Sequence, residues 1–254
     1  MKSSVKLLLL ILFITGNCYA FAKPDTTSKA DSTYVTVDRH LTGFNSLHIS
    51  GPFDVKITQG TVESVTLDAP KNILDRIVTE VNNGELRITN KHDNWGWSEK
   101  SWWSDKSWWR HHKKILVHVT VKDLNSIKLS GSGSALFENG ITTNALKLTV
   151  RGSGNIEGKV QVKKLESSIS GSGGIKLSGT AESSAIGVTG SGSFTAPELI
   201  TSNSAVHLSG SGGAKINATD KVDAAISGSG GVSYTGTAKI VNTKKSGSGS
   251  VSRF

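Results

Sequence analysis

The chain has 254 residues, 28 of them glycine and one cysteine, and 29 basic against 20 acidic side chains leave a net charge of +9. That length suits a single repeat domain. One cysteine excludes a disulfide framework and a multi-thiolate metal site, and a modest positive charge without a basic stripe argues against a nucleic-acid binder.

Residues 1–22 read as a secretory signal peptide: Lys2 and Lys6, an apolar core from Leu7 to Ile14, and small residues Ala20 and Ala22 at the cleavage position. The apolar run is too short to span a bilayer, so no transmembrane segment is expected in the mature chain. Cys18 follows Asn17, where lipidation wants a small residue, so ordinary cleavage is favoured over acylation. Residues 23–40 are polar and Thr/Ser-rich, and read as a loose lead-in to a domain over 41–254. Strands are expected around Leu47–Val55, Val65–Leu67 and Leu86–Ile88. The apolar spacing of Ile73, Leu74, Ile77 and Val78 fits a helical turn and a bent strand equally, and Asn82-Asn83-Gly84 marks a turn.

Residues 91–114 differ from everything around them. They hold all six tryptophans, Trp95, Trp97, Trp102, Trp103, Trp108 and Trp109, followed by Arg110, His111, His112, Lys113 and Lys114. This segment reads as an insertion between strands. Indole faces stack on sugar rings and sit at membrane interfaces, and Arg110, Lys113 and Lys114 add attraction to anionic groups. The alternative is that the tryptophans pack on one another and cap a flank of the fold. Adjacent histidines rarely converge on one ion, so His92, His111, His112 and His118 point to no metal site.

From residue 127 onward the chain repeats. Ser-Gly-Ser-Gly or a close variant has its first glycine at Gly131, Gly152, Gly171, Gly190, Gly210, Gly228 and Gly247, at intervals of 21, 19, 19, 20, 18 and 19 residues. Leu129, Val150, Ile169, Val188, Leu208 and Ile226 stand two residues before these glycines, and Lys245 breaks the series. A period near 20 with alternating apolar residues signals a solenoid of short strands. Two glycines per unit argue against helix and for a tight corner. Stacked coils would align the aliphatic residues inside and the corner serines in a ladder whose hydroxyls bond one another or the backbone. Lys244 and Lys245 would keep the last coil from sticking to another chain.

The corners lack the spacing of a phosphate loop, and no aspartate follows the glycines as a calcium-binding repeat requires. No cofactor is expected. Acids are scattered singly. Only Glu138 and Glu157, 19 residues apart, could face each other on successive coils, which is thin ground for a glycan-cleaving enzyme.

Gly51-Pro52-Phe53-Asp54-Val55, Asn83-Gly84-Glu85-Leu86-Arg87-Ile88, and the stretch from Val121 to Gly133 together resemble the bacterial family called "putative auto-transporter adhesin, head GIN domain". The resemblance covers about residues 41–250. It implies an all-β, right-handed parallel β-helix exported to the cell envelope, in a periplasmic, outer-membrane-associated or extracellular place. It brings no catalytic residues, and no translocator barrel follows the repeats. The expected function is therefore non-enzymatic and adhesin-like. The Trp-rich basic segment would contact a glycan, a cell surface or an outer-membrane component. A structural envelope module without a ligand is the alternative.

Overall fold

The corner tetrapeptide sets the architecture. The computed structural model describes residues 34–91 and 115–254, and three-quarters of them are in strands that wind into a β-solenoid of about seven turns, about 19 residues each. Five long, bent strands carry the regular part: β10 (Ile141–Gly152), β11 (Asn155–Gly171), β12 (Gly174–Gly190), β13 (Ser193–Gly210) and β14 (Gly213–Gly228). Each pairs with the next in parallel and in register, so that Gly152 stands beside Gly171, Gly171 beside Gly190, and Gly190 beside Gly210.

The first glycine of all seven corners has a positive φ, between 102° and 121°. The corners stack through backbone. The Gly152 carbonyl accepts from the N–H groups of Ser172 and Gly173, both at 2.9 Å, and a side chain at Gly171 would lie 2.6 Å from that same oxygen. Glycine is required because one backbone sits directly on the next. The expected ladder of serine hydroxyls is not what holds the corner. Ser132, Ser153, Ser172 and Ser191 are exposed, and no hydrogen bond joins their hydroxyls among the described residues.

Inside, the apolar position before each corner forms one continuous ladder. Ile88, Ile49, Leu129, Val150, Ile169, Val188, Leu208 and Ile226 follow one another across the coils, and none is more than 3% exposed. Burial of each such side chain is worth roughly 1.5–3 kcal/mol, and no single coil could bury this face alone.

At the N-terminal end, chain order and spatial order part. β2 (Ser46–Ser50) and β3 (Phe53–Gln59) form a coil that stacks directly on β8 (Ser126–Gly131) and β9 (Ser134–Phe137). The later strands β6 (Glu85–Asn90) and β7 (Ile115–Val121) lie on its outer side. Gly51-Pro52 is this coil's corner: Gly133 N–H donates to the Gly51 carbonyl at 3.1 Å, and fully buried Phe53 fills the place of the second glycine.

Antiparallel strands close the end. β4 (Ser64–Pro70) pairs with β7, and β5 (Ile77–Asn82) makes a hairpin with β6. Asn83 and Gly84, both at positive φ, form its two-residue turn. Between β4 and β5, Lys71–Arg76 is a 3-10 helix, so the ambiguous stretch is a helical turn first and a strand after. Strand pairing also reaches into the stretch whose polar composition suggests a loose lead-in. β1 (Tyr34–Asp38) pairs antiparallel with β4, because Tyr34, Val35 and Val37 suit a half-buried strand.

At the other end β15 (Gly231–Thr235), β16 (Ile240–Ser246) and β17 (Ser250–Arg253) finish the stack. β16 pairs only with β14 and is exposed along its whole length. Among the described residues no helix is long and apolar enough to cross a membrane.

Candidate functional site

Trp95, Trp97, Trp102, Trp103, Trp108, Trp109, Arg110, Lys113 and Lys114 lie outside the described residues, as do His92, His111, His112 and residues 1–22. The strands that flank the Trp-rich segment are placed by register. Ser50 pairs with Thr89, and Phe53 pairs with Ile115. The inner coil bridges Ser50 and Phe53 with two residues, Gly51 and Pro52. In the outer coil residues 90–114, twenty-five in all, separate Thr89 from Ile115 in the sequence.

A basic cluster stands beside the Gly51-Pro52 corner. Arg87, His48 and Lys128 occupy one register row across three adjacent coils. They surround Glu85: Lys128 Nζ lies 2.8 Å from Glu85 Oε2, His48 Nδ1 3.6 Å from Oε1, and Arg87 Nε 4.0 Å from Oε1. The Lys128 hydrogen bond holds the Glu85 carboxyl below its ordinary range. Burial pushes the His48 imidazole below its ordinary value, against the opposing pull of Glu85, so His48 is neutral at neutral pH.

A cavity of about 590 Å³ opens here, lined by His48, Ser50, Arg87, Thr89, Asn90 and Ser130 among others. Among the described residues, Asn90 Oδ1 and Arg87 Nε are buried in its neighbourhood without a hydrogen-bond partner. Buried polar atoms are rarely left so, and these two give the corner spare acceptor and donor capacity. The triplets Leu47-His48-Ile49, Leu86-Arg87-Ile88 and Ile127-Lys128-Leu129 carried the signal for this row: an outward basic residue between two inward aliphatics, three times over.

The two acids expected to face each other do not. Glu157 pairs in register with Leu136 and Lys176, and Lys176 Nζ binds it at 2.6 Å. Glu138 instead meets Lys56 at 3.1 Å and accepts from Thr58 Oγ1 at 3.1 Å. Each carboxylate is neutralised by a lysine on a neighbouring coil, and the register sets them two residues apart, with Glu157 opposite Leu136. His118 pairs with Asp68 at 3.5 Å. Among the described residues no group of three or more His, Cys, Asp or Glu side chains could hold a metal ion.

The solenoid is shared with solved structures. A "putative adhesin" from Bacteroides fragilis is 28% identical with a TM-score of 0.77, covering 87% of this chain and 97% of that one. A "putative lipid binding protein" from Parabacteroides distasonis (23% identical, TM-score 0.67, 88% and 98% covered) and a "putative adhesin" from Parabacteroides merdae (21%, 0.65, 88% and 97%) share the fold. No curated protein matches the chain. The model of the family described as "Putative auto-transporter adhesin, head GIN domain" matches residues 43–238, and the chain belongs to that family.

Proposed function

We propose that the protein is a non-enzymatic, exported envelope protein that holds a glycan, a cell surface or an outer-membrane component through its Trp-rich basic segment. The observation that supports this is the register of the flanking strands. Where the neighbouring coil has two residues between the paired positions, twenty-five stand here in the sequence, six of them tryptophan. Loops placed on a rigid scaffold are where binding residues concentrate. Adhesin-like neighbours and family membership agree with a surface role, and residues 1–22 would direct export.

The test compares the wild-type chain with Trp102→Ala/Trp103→Ala/Trp108→Ala/Trp109→Ala on a glycan array and on anionic liposomes. Loss of binding with an unchanged melting temperature is expected. Equal binding by both proteins would overturn the proposal and leave a module whose coils are its contact surface.

A further inference from the structure

A second surface runs along the solenoid on residues that the Trp-rich segment does not include. Where β10 to β13 bend, two register rows and the residues that follow them along each strand form a trough. Its floor is Thr143, Val162, Ala181 and Thr201, which stand in register on successive coils. Val162 and Ala181 are each 6% exposed and Thr201 2%. One wall is Thr142, Gln161, Thr180 and Ile200, also in register. The other is Asn144, Lys163, Glu182 and Ser202, the residues next along each strand, continued by Asp123. The trough holds about 690 Å³, and a further cavity of about 640 Å³ shares Asp123, Thr143 and Asn144 with it. From Asp123 to Ser202 is four coil steps, about 19 Å at the usual strand spacing.

Several outward lysines and acids on neighbouring coils are joined: Lys147 to Glu166, Lys176 to Glu157, Lys56 to Glu138, Lys128 to Glu85. In the trough Lys163 and Glu182 stand on adjacent coils, yet their side chains make no ion pair or hydrogen bond among the described residues. The same holds for the side chains of Asp123, Asn144 and Gln161. Exposed polar groups of every type therefore face one groove: carboxylate acceptors, an ammonium donor, amides that do both, and threonine hydroxyls.

We infer that this trough is a binding site for an extended, uncharged polysaccharide. Sugar hydroxyls both donate and accept, so they can meet such a mixed wall at every step. The coil repeat is close to the advance per sugar of an extended pyranose chain, which lets one sugar address one coil. The shallow apolar floor of Val162 and Ala181, with Ile200 at its edge (51% exposed), suits the C–H faces of the rings. An extended peptide is disfavoured because β11, β12 and β13 are hydrogen-bonded on both sides along the trough, leaving no free edge for strand addition. A polyanion is disfavoured by Asp123 and Glu182.

The inference stands on the trough alone and survives failure of the Trp-rich segment as a binder. The test uses the mature chain against immobilised linear hexasaccharides of β-1,4-glucose, β-1,4-mannose, β-1,4-N-acetylglucosamine and α-1,4-glucose. A random peptide library and heparin serve as competitors. Gln161→Ala/Lys163→Ala/Glu182→Ala removes three exposed, unpaired side chains and leaves the melting temperature unchanged. At least one hexasaccharide is expected to bind wild type and the tryptophan variant alike, and to lose at least about tenfold in affinity for the trough variant. The inference falls if no hexasaccharide binds wild type, if the trough variant binds as well as wild type, if only the tryptophan variant loses binding, or if a peptide or heparin is the ligand that depends on these three residues.

Discussion

Phe137 and Gly158 occupy one position on neighbouring coils, and the phenylalanine fills the space of both. A side chain built on Gly158 would lie 2.5 Å from Phe137 Cβ and 2.8 Å from Cγ. On its other side Gly158 faces Leu177, so large, absent and large side chains alternate along the interior. Gly158→Ala should cost about 1–3 kcal/mol by overpacking. In the double variant Phe137→Ala/Gly158→Ala the two losses should fall short of additivity by about 0.5–3 kcal/mol. Recovery is partial, because Phe137→Ala removes the ring contacts but keeps the Cβ at 2.5 Å, and because φ at Gly158 is +152° and disfavours any side chain. Urea denaturation of the four proteins checks this, and strictly additive losses would show that the two positions do not share space.

The corner glycines make a positional prediction. A side chain at Gly190 would lie 2.8 Å from the Gly171 carbonyl oxygen, and one at Gly247 2.5 Å from that of Gly228. The clashes are alike, but their surroundings differ. The Gly190 carbonyl also accepts from Ser211 and Gly212 of the next coil, whereas Gly247 lies in the last coil. Gly190→Val must disturb two interfaces and should cost more than about 2 kcal/mol, while Gly247→Val frays one coil end at about half that. Equal falls in melting temperature would contradict stacking as the source of stability.

The solenoid and its corners were legible because a parallel stack repeats one local solution, so spacing in sequence becomes spacing in space. The N-terminal end was not. β2 and β3 lie between β6/β7 and β8/β9, and a period read along the chain cannot show that a later coil folds outside an earlier one. The trough was hidden for a related reason. Asn144, Lys163 and Glu182 differ in type, and only their equivalent place beside the paired row of Thr143, Val162 and Ala181 makes them one wall. The serines show the opposite error: an unvarying residue in the repeat suggested a hydroxyl ladder, but the invariance reflects a backbone corner with an outward side chain.

Hydroxyls do form a network, but inside the solenoid. Thr201 Oγ1 donates to the Asn217 carbonyl at 2.7 Å. Its single hydrogen being used, Ser204 must donate to Thr201 at 2.8 Å, and Ser184 to Ser204 at 2.7 Å. Ser204→Ala strands the buried Ser184 hydroxyl and should cost about 1–3 kcal/mol, and Ser184→Ala/Ser204→Ala should cost less than Ser204→Ala alone. Ser167 is the control. It is 2% exposed and its hydroxyl has no hydrogen-bond partner among the described residues, so Ser167→Ala should be neutral or stabilising. Chemical denaturation separates the three, and a large loss at Ser167 would refute the argument.

His48 should make stability depend on pH. Burial sets its folded value below the ordinary 6.5, so between those two values the unfolded chain binds more protons than the folded one. Stability therefore falls as pH drops through about 6.5 and stops falling below the folded value. Glu85, held low by Lys128, acts in a separate window: its contribution is present above the ordinary carboxylate value of 4.5 and is lost as pH falls through the lowered one. His48→Gln should flatten the upper limb between pH 7 and the carboxylate range and leave the lower limb in place. Denaturation midpoints measured across pH test this, and an unchanged upper limb would assign it to another group.

Lys245 ends the interior ladder. It pairs in register with Ile226, which is 3% exposed, yet the whole of β16 is exposed and its outer edge carries no further strand among the described residues. An open parallel edge over an apolar ladder is a template for another chain. A lysine there keeps charge on the end, because burying an unpaired ammonium against a second copy is costly. Lys245→Ile would extend the ladder by one aliphatic and remove that penalty. Self-association that rises with concentration is expected for the variant in sedimentation velocity, with wild type unchanged at the same concentrations. The gain should be smaller for Lys244→Ile, since Lys244 pairs with Ala225, whose side chain points outward and lies off the ladder. Equal association by the two variants would mean that general loss of charge, and not ladder continuity, controls the open end.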